Sequence, residues 1–441
     1  MKKFLLFTLL TCFELTAQDF WAEVVPFSDL STHYPSEISA VDDQVVWVKA
    51  SPHTVGYFRF SISTDAGATW TEGDINLSGP TMGVGNLHAV SATTAYAIGI
   101  PSDPLLGGGV WVTRDSGATW EQQTTGLVGP ALSLVHFFDT ETGLVVGDPQ
   151  DSGFEIFTTT NGGTAWSQVA AANIPPPLDG EYSYTSVFEA RDTHFWFGTN
   201  MGRIYHSTDM GQHWTVAQSP IPDLGAALAG GSFAFKNGND GILIDKFNAM
   251  WRTHDGGATW NPDTYSGVLR NAEVVYIPET ANAFFSWGSD ADDILRGGSY
   301  SLDDGSLWND LNVLDANPII PIDAVFKSNT VGFCIGLPQS NSGAIARFYR
   351  LDDPAGLLNT QKYERNIGLF AAPNPTSDVV KLSGHAIQSV IVGDLSGKIL
   401  SKRDFEPMDE VDLDLSAYQS GVYLATIQNE KGGQTIKIVK N

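Results

Sequence analysis

One eight-residue pattern recurs six times along the chain and limits the folds available to it more than any other feature. Every copy has Asp or Asn in its third position, Gly in its fifth and Trp in its eighth. Successive tryptophans are 50, 46, 48, 46 and 48 residues apart. A fixed period of this length is typical of propellers and solenoids. The copies pair Asp65 with Trp70, Asp115 with Trp120, Asn161 with Trp166, Asp209 with Trp214, Asp255 with Trp260, and Asp303 with Trp308.

The residue types in this pattern predict a turn between two strands. An Asp or Asn oxygen accepts backbone N–H groups about two residues farther along the chain, which closes the turn. The Gly two places later adopts a positive φ that a Cβ atom would penalise, and the Trp enters the next strand with a large buried side chain. We therefore interpret these Asp, Asn and Trp residues as structural and not as catalytic.

The segments between these turns are predicted to be strands. Short apolar runs such as Ala95–Gly99 and Phe195–Gly198 are bracketed by turn residues, and the chain contains 45 Gly and 22 Pro. This pattern indicates an all-β chain with four strands per repeat. Trp21 lies 49 residues before Trp70, so Phe20–Pro26 has the place of a strand that follows a turn. That strand would complete the last repeat, so we predict a seven-bladed β-propeller, with six or eight blades as alternatives.

The first residues, 1–17, predict a secretory signal peptide. Two lysines precede an apolar run from Phe4 to Phe13, and Ala17 offers a small residue at the cleavage site. The apolar run is too short to span a bilayer, so we expect no transmembrane segment. The alternatives are a lipoprotein signal at Cys12 and a buried N-terminal strand or helix.

The C-terminal part has a different character from the repeats. Apolar and polar residues alternate in Val379–Leu382 and Val411–Leu415, which predicts half-buried strands of a small Ig-like β-sandwich. We therefore expect a signal peptide at 1–17, a propeller at 18–357, a linker at 358–367 and a second domain at 368–441.

Charge narrows the classes of partner. The formal net charge is −26, from 50 acidic and 24 basic residues. A chain this acidic repels phosphate backbones and anionic lipids, so we expect no nucleic-acid partner. Once a signal peptide carrying Cys12 is removed, Cys334 remains alone and forms no intramolecular disulfide.

The six repeats resemble the Asp-box, or BNR, repeats of sialidase-like propellers. The second strands that end in Gly99, Gly147 and Gly198 are similar to those of bacterial propellers related to photosystem II assembly factors. The resemblance covers about residues 20–355. It implies a propeller whose functional site opens on the face opposite the Asp boxes, and it leaves the function open because this fold carries several.

The C-terminal part closely resembles the type A sorting domain of the type IX secretion system of Bacteroidota. The matching segments are Pro373-Asn374-Pro375, Gly421-Val422-Tyr423 and the basic strand Lys437–Lys440. The resemblance implies that the secretion machinery recognises residues 368–441. It also implies that the protein crosses the outer membrane and is then released or attached to the cell surface. A carbohydrate-binding sandwich is the alternative.

Several polar residues are expected on the face opposite the boxes. A sialidase would need three converging arginines, and the propeller does not supply them. A glycosidase needs two carboxyl groups on either side of one bond, and loop aspartates are candidates for that role. The catalytic candidates are Asp148, Asp151 and Asp290, and the binding-face candidates are Asp103, Tyr182, Tyr184, Arg270 and Arg296.

No cofactor is implied, although Ca²⁺ is possible at Asp290, Asp292 and Asp293, whose hard oxygen ligands suit that ion. His88 and His136 occupy matching repeat positions and are expected to fill the channel wall.

Two functions remain open at this point. The first is a secreted or cell-surface propeller that binds a glycan or protein ligand without chemistry of its own. The alternative is a polysaccharide-degrading glycoside hydrolase or lyase that uses the loop aspartates.

Overall fold

The computed structural model describes residues 20–54, 56–77, 82–102, 108–124, 126–127, 132–150, 153–227, 229–289, 296–311, 319–338, 346–352, 370–372, 376–394, 399–429 and 432–441. They form 34 strands and one short 3₁₀ helix, Ala171–Asn173. The chain divides into two compact units, Met1–Leu358 and Asn359–Asn441.

Strands of the first unit form seven sheets, each built around four antiparallel strands. The strands are β1 (Trp21–Val24), β2 (His33–Ala40), β3 (Val46–Pro52), β4 (Phe58–Ser63), β5 (Thr71–Ile75), β6 (Met82–Ala89), β7 (Ala95–Pro101), β8 (Gly109–Thr113), β9 (Glu121–Gln123), β10 (Leu132–Phe137), β11 (Gly143–Gln150), β12 (Gly153–Thr159), β13 (Ser167–Gln168), β14 (Ser183–Arg191), β15 (His194–Thr199), β16 (Arg203–Ser207), β17 (Thr215–Gln218), β18 (Gly231–Phe235), β19 (Gly241–Asp245), β20 (Met250–Thr253), β21 (Asn261–Asp263), β22 (Ser266–Gly267), β23 (Glu273–Tyr276), β24 (Phe284–Ser289), β25 (Arg296–Ser301), β26 (Leu307–Asp310), β27 (Ile319–Phe326), β28 (Gly332–Pro338) and β29 (Arg347–Leu351).

The sheets follow one another along the chain. Their orders are β2–β5, β6–β9, β10–β13, β14–β17, β18–β21, then β23–β26 with β22 added in parallel to β26, and last β27–β29 with β1. The first strand of each sheet contacts the first strand of the next, and β27 contacts β2. The series of sheets therefore closes on itself around the seven first strands.

The N-terminal strand completes the last sheet. β1 pairs antiparallel with β29, with Trp21 opposite Leu351 and Val24 opposite Phe348. This is the pairing expected from the position of Trp21 in the repeat. Trp21 is buried against Phe285 and Phe326, so strands from both ends of the unit share one core.

The six eight-residue segments form nearly identical turns, which we call the box turns. In the first, the Asp65 carboxylate accepts the Thr69 N–H at 2.8 Å and the Thr69 hydroxyl at 2.6 Å. The Ser63 hydroxyl donates to Asp65 and accepts the Gly67 N–H. The carboxylate oxygen therefore accepts the N–H group of the residue four places along the chain, and not two as expected. The reason is that the turn contains two successive left-handed residues, Ala66 and Gly67.

The box turns define one face of the unit, which we call the box face. The residue after each Asp or Asn donates its N–H to the turn between the first two strands of its own sheet, as Ala66 does to Gln44. The box glycine packs against a neighbouring sheet, as Gly67 does against Phe333. The opposite face carries the connections between sheets and those between second and third strands, and we call it the loop face.

Aromatic residues of the second strands join successive sheets at the box face. Trp47 donates its indole N–H to the Ser91 carbonyl, and Trp196 donates to that of Gly256, both at 2.9 Å. The Tyr96 hydroxyl donates to the Gly162 carbonyl at 2.8 Å. These side chains satisfy their polar atoms while filling the space between sheets.

Replacing Asp255 with Ala is expected to lower the free energy of unfolding by about 1–2 kcal/mol, because three hydrogen bonds to its carboxylate are lost. Asp255→Asn is the matched control and should cost less than about 0.5 kcal/mol. Asn161 occupies the same position in another box turn and accepts the Ala165 N–H and the Thr159 hydroxyl. Urea unfolding of the two variants checks this, and equal losses would contradict it.

The second unit is one hydrogen-bonded sheet of five strands, β30 (Phe370–Ala372), β31 (Val379–Asp394), β32 (Ile399–Asp414), β33 (Gly421–Asn429) and β34 (Gly432–Lys440). β31 pairs with β32 along its length and with β33 in its second half. Its core contains Val380, Leu382, Val411 and Leu413, which confirms the alternation read from the sequence. The Ig-like β-sandwich remains a prediction.

Candidate functional site

Two cavities lie along the centre of the first unit, one towards each face. The first, of about 210 Å³, is lined by the loop-face connection Leu224–Ala227 and by Glu189, Lys246 and Glu273; we call it the loop-face cavity. The second, of about 570 Å³, is lined by turn residues such as Asp139 and by His88, His136, Arg191 and Lys327. We call it the box-face cavity.

Three charged side chains line the loop-face cavity, and they differ in the hydrogen bonds and ion pairs that they form. Glu189 accepts a hydrogen bond from Arg191 at 2.9 Å and keeps 16% of its side chain exposed. Lys246 donates to the Ala272 carbonyl at 2.9 Å. The carboxyl group of Glu273 makes no hydrogen bond and no ion pair with any residue that the structure describes. Among the described residues, Glu273 is therefore the charged group lining this cavity that has no close partner.

Enclosure governs the protonation of these carboxyl groups. Desolvation raises the pKa of Glu273 to about 8, with Asp323 and Glu189 adding repulsion and Lys246 opposing it. Desolvation also raises the pKa of Glu189 to about 7, against the attraction of Arg191. The pKa of Asp323 rises to about 7 through desolvation and the nearby Glu37. Glu189 and Glu273, which line the cavity, and Asp323 near it therefore keep their protons to higher pH than exposed carboxyl groups do.

Other polar groups of the first strands join sheets to each other. Asp323 accepts the Ile38 N–H, Glu37 accepts the Leu87 N–H, and Asn86 accepts the Val135 N–H. Each bond runs from a side chain on one first strand to the backbone of the next, which satisfies buried amide groups. Lys49 pairs with Glu37 at 2.6 Å. These residues hold the ring of strands and are not available to a ligand.

Asp148, the first of the catalytic candidates, accepts both the backbone N–H and the hydroxyl of Ser183, at 3.0 and 3.1 Å. Burial raises its pKa, while Ser183 opposes the rise. The bonds connect the third sheet to the fourth, so the structure gives Asp148 a partner within the protein.

Two candidate tyrosines come together on the loop face. The rings of Tyr182 and Tyr184 meet edge to face at 5.4 Å, and Tyr182 is 43% exposed. Tyr184 donates its hydroxyl to Asp223 at 2.8 Å and packs over Gly225, which lines the loop-face cavity. The pair therefore forms an aromatic surface beside that cavity.

The candidate arginines differ in accessibility. Arg270 is fully buried and pairs with Asp310 at 2.8 Å, so its guanidinium lies in the interior and not on the loop face. Arg296 is exposed at the start of β25. The remaining candidates, Asp103, Asp151, Asp290, Asp292 and Asp293, lie outside the described residues. Within the described part, no three His, Cys, Asp or Glu side chains are grouped so as to hold a metal ion.

The residues that line the cavities were missed by sequence reasoning, except the histidines. His88 and His136 do line the box-face cavity, with ring centroids 4.5 Å apart. Glu189 occupies the equivalent position on β14, where it interrupts the otherwise apolar run Phe188–Ala190. A charged residue within an apolar first strand was the available signal.

The enclosed carboxyl group of Glu273 predicts a pH-dependent stability. Its folded-state pKa of about 8 exceeds the ordinary 4.5, so the folded protein holds a proton that the unfolded chain has lost between those values. Stability from this group falls as pH rises through that window. Between pH 5.5 and 9, the free energy of unfolding of the wild type should fall by about 1–3 kcal/mol more than that of Glu273→Gln.

Urea unfolding of both proteins at several pH values measures this difference. Glu121→Gln is the matched control, because Glu121 is exposed on β9, and it should show no such dependence. A constant difference between wild type and Glu273→Gln would contradict the prediction.

The chain is similar to solved propeller structures. YCF48 from Cyanidioschyzon merolae is 14% identical over 76% of this chain and 99% of that chain, with a TM-score of 0.52. A GH74 enzyme from Niastella koreensis is 12% identical over 91% and 66%, with a TM-score of 0.45. A sialidase of Trypanosoma rangeli is 12% identical over 94% and 87%, with a TM-score of 0.41. The first likeness shows a shared fold and nothing of function.

The sequence matches none of the curated proteins. Residues 371–441 match the family of secretion system C-terminal sorting domains, as expected from the C-terminal motifs. None of the described segments forms a helix long and apolar enough to cross a membrane. The sorting domain implies contact with the secretion machinery, and it indicates that the protein is secreted or attached to the outer cell surface.

Proposed function

We propose that the exported unit is a seven-bladed β-propeller that binds a glycan or protein ligand on its loop face without transforming it. In this proposal the seven sheets are the blades, residues 18–357 are the propeller and residues 368–441 are the sorting domain. The observation that carries the proposal is the loop-face cavity, in which the Glu273 carboxyl group has no partner within the described residues. Binding sites are typically concave and have few, well-placed polar groups.

The size of the cavity limits the ligand. Its volume of about 210 Å³ is below that of pockets for drug-sized molecules, so it accepts one residue of a larger ligand. Ser186, Lys246 and Glu273 offer hydroxyl, ammonium and carboxyl groups to that residue. The exposed Tyr182 beside it offers apolar area and a hydroxyl group to the remainder. A terminal sugar or a protruding side chain has this shape.

A binding assay with the full chain tests the proposal. The probes are soluble neutral, amino and sialylated polysaccharides with and without Ca²⁺, and both retained binding and released product are recorded. We expect binding without product, and at least about tenfold weaker binding by Glu273→Gln and Tyr182→Ala. Tyr57→Ala is the control, because Tyr57 is also exposed on the loop face but lies in the connection between β3 and β4 of another sheet.

Two results of the binding assay would contradict the proposal. Binding that survives both substitutions would place the ligand elsewhere. If no polysaccharide binds, a glycan ligand is contradicted, and the partner would be a protein captured by cross-linking on cells.

A glycosidase is the second candidate function. It is favoured by the two carboxyl groups, Glu189 and Glu273, whose pKa values are raised to about 7 and 8 in the same cavity. A carboxyl group that stays protonated at neutral pH can act as a general acid. Released product that disappears in Glu273→Gln would support this function over binding alone. If the released product instead disappears in Asp148→Asn, the result would support Asp148 as the catalytic residue.

A further inference from the structure

We propose that the box-face cavity is a second binding site, and that it takes an oxyanion such as a carboxylate or sulfate group. The site is separate from the loop-face cavity and does not depend on the function proposed for it. The cavity measures about 570 Å³, which lies within the usual range for small-molecule sites. The juxtaposition that points to an anion is that of Lys327 with Arg191 and His136 on its wall.

Among the described residues, no carboxylate pairs with the ammonium group of Lys327, and Asp42 and Asp43, which attract it, are exposed. It follows β27 directly and lines the cavity, and its ammonium group makes no hydrogen bond or ion pair with a described residue. Burial lowers its pKa, and repulsion from Arg191 adds to the effect. Partial burial of an ammonium group that has no close counter-ion destabilises the folded protein. A bound anion would supply the counter-ion that the described residues do not provide.

A second lysine in the same structural position shows what a compensated group looks like. Lys236 follows β18 as Lys327 follows β27, and each comes directly after a phenylalanine. The ammonium group of Lys236 pairs with Asp304 at 2.9 Å and donates to Asn282 at 3.1 Å. A lysine at this position can therefore be paired on both sides, whereas the described residues give Lys327 no hydrogen bond or ion pair.

The other walls of the cavity suit an anion. Arg191 uses its guanidinium on Glu189 and on the Phe235 carbonyl, which places it in the wall with its charge partly neutralised. The imidazole of His136 is kept neutral, because burial holds its pKa well below the ordinary value and His88 and Lys327 add repulsion. A neutral imidazole still offers one N–H donor to a ligand.

Acidic residues near the cavity lie at its rim and not in its interior. Asp139 and Asp192 are exposed, and the Asp139 carboxylate already accepts the N–H groups of Glu141 and Thr142. Asp42 and Asp43, whose charges act on Lys327, are exposed as well. Water screens exposed charges more than enclosed ones, so these rim carboxylates oppose a bound anion less than enclosed carboxylates would.

Calorimetric titration of the full chain tests the site. The probes are sulfate, phosphate, acetate and glucuronate, each compared with sodium chloride at equal ionic strength. We expect at least one oxyanion to bind the wild type, and Lys327→Met to weaken that binding at least tenfold. Lys236→Met should leave it unchanged. Sulfate or phosphate binding would indicate a tetrahedral group, and acetate or glucuronate binding a carboxylate.

Thermal unfolding without added anion gives a second readout. Lys327→Met should raise the melting temperature, because it removes a half-buried charge that has no ion pair among the described residues and keeps an apolar stem, whereas Lys236→Met should lower it. The proposal is overturned if no oxyanion binds the wild type more tightly than chloride. Oxyanion binding that persists in Lys327→Met would overturn it as well, and so would a lower melting temperature for that variant.

Discussion

Deletion of residues 366–441 is expected to abolish delivery to the cell surface and the medium, and to leave the protein in the periplasm. The physical reason is that the sorting domain matched at residues 371–441 belongs to a compact unit with its own core, separate from the first unit. A recognition surface built on that unit is removed whole, so the loss should be nearly complete. Fractionation of cells followed by immunoblotting measures it.

Two controls separate failed sorting from failed folding. The truncated protein in the periplasm should resist proteolysis as the full chain does, because its seven sheets are untouched. Residues 366–441 fused to an unrelated periplasmic protein should carry that protein out. Normal surface delivery of the truncated protein would contradict the sorting role.

Replacing Trp21 with Ala is expected to lower the free energy of unfolding by about 3–5 kcal/mol, which is the range for a large aromatic side chain removed from a core. Trp21 is 4% exposed and its ring meets those of Phe20, Phe285 and Phe326. β1 also supplies the fourth strand of the last sheet, so a weakened β1 exposes the edge of β29. Urea unfolding, followed by tryptophan fluorescence and circular dichroism, measures the loss.

Glu23→Ala is the matched control, because Glu23 lies on the same strand and pairs with the same partner strand. Its carboxylate forms an ion pair with Arg347 at 2.7 Å, and both side chains are more than 40% exposed, at 43% and 44%. An exposed pair of this kind contributes less than about 1 kcal/mol. If Trp21→Ala does not fold, Trp21→Phe should fold with a smaller loss. Equal losses for Trp21→Ala and Glu23→Ala would refute the role given to ring closure.

The box turns illustrate what repeated local chemistry can predict. Spacing and residue types were sufficient to predict turns, because a Gly and a short polar side chain restrict the backbone wherever they occur. The reach of the Asp65 oxygen to Thr69 was not predicted correctly. It depends on Ala66 adopting a φ of 56°, which alanine rarely does and which its own residue type does not reveal.

The candidate sites illustrate the opposite case. Arg270 was expected at a binding face, but it is buried against Asp310, which lies forty residues away in sequence and is brought to it by the pairing of β24, β25 and β26. Asp148 was expected on the loop face as a catalytic candidate, and one of its carboxylate oxygens accepts two hydrogen bonds from Ser183 of the next sheet. Loop position alone does not reveal such partners.

The all-β character, the period of the repeat, the closing role of the N-terminal strand and the export signal at residues 371–441 could all be predicted from the residues alone, because each depends on residues close together or on a fixed spacing. Which charged side chains have partners could not be predicted in this way and is seen in the folded protein. Among the described residues, Glu273 and Lys327 form no ion pair, whereas Lys236, in the same position of another sheet as Lys327, pairs with Asp304, and the buried Arg270 pairs with Asp310. The reason is that the charge balance of an enclosed group depends on what neighbouring sheets bring within about 4 Å, and that is fixed only when the ring closes.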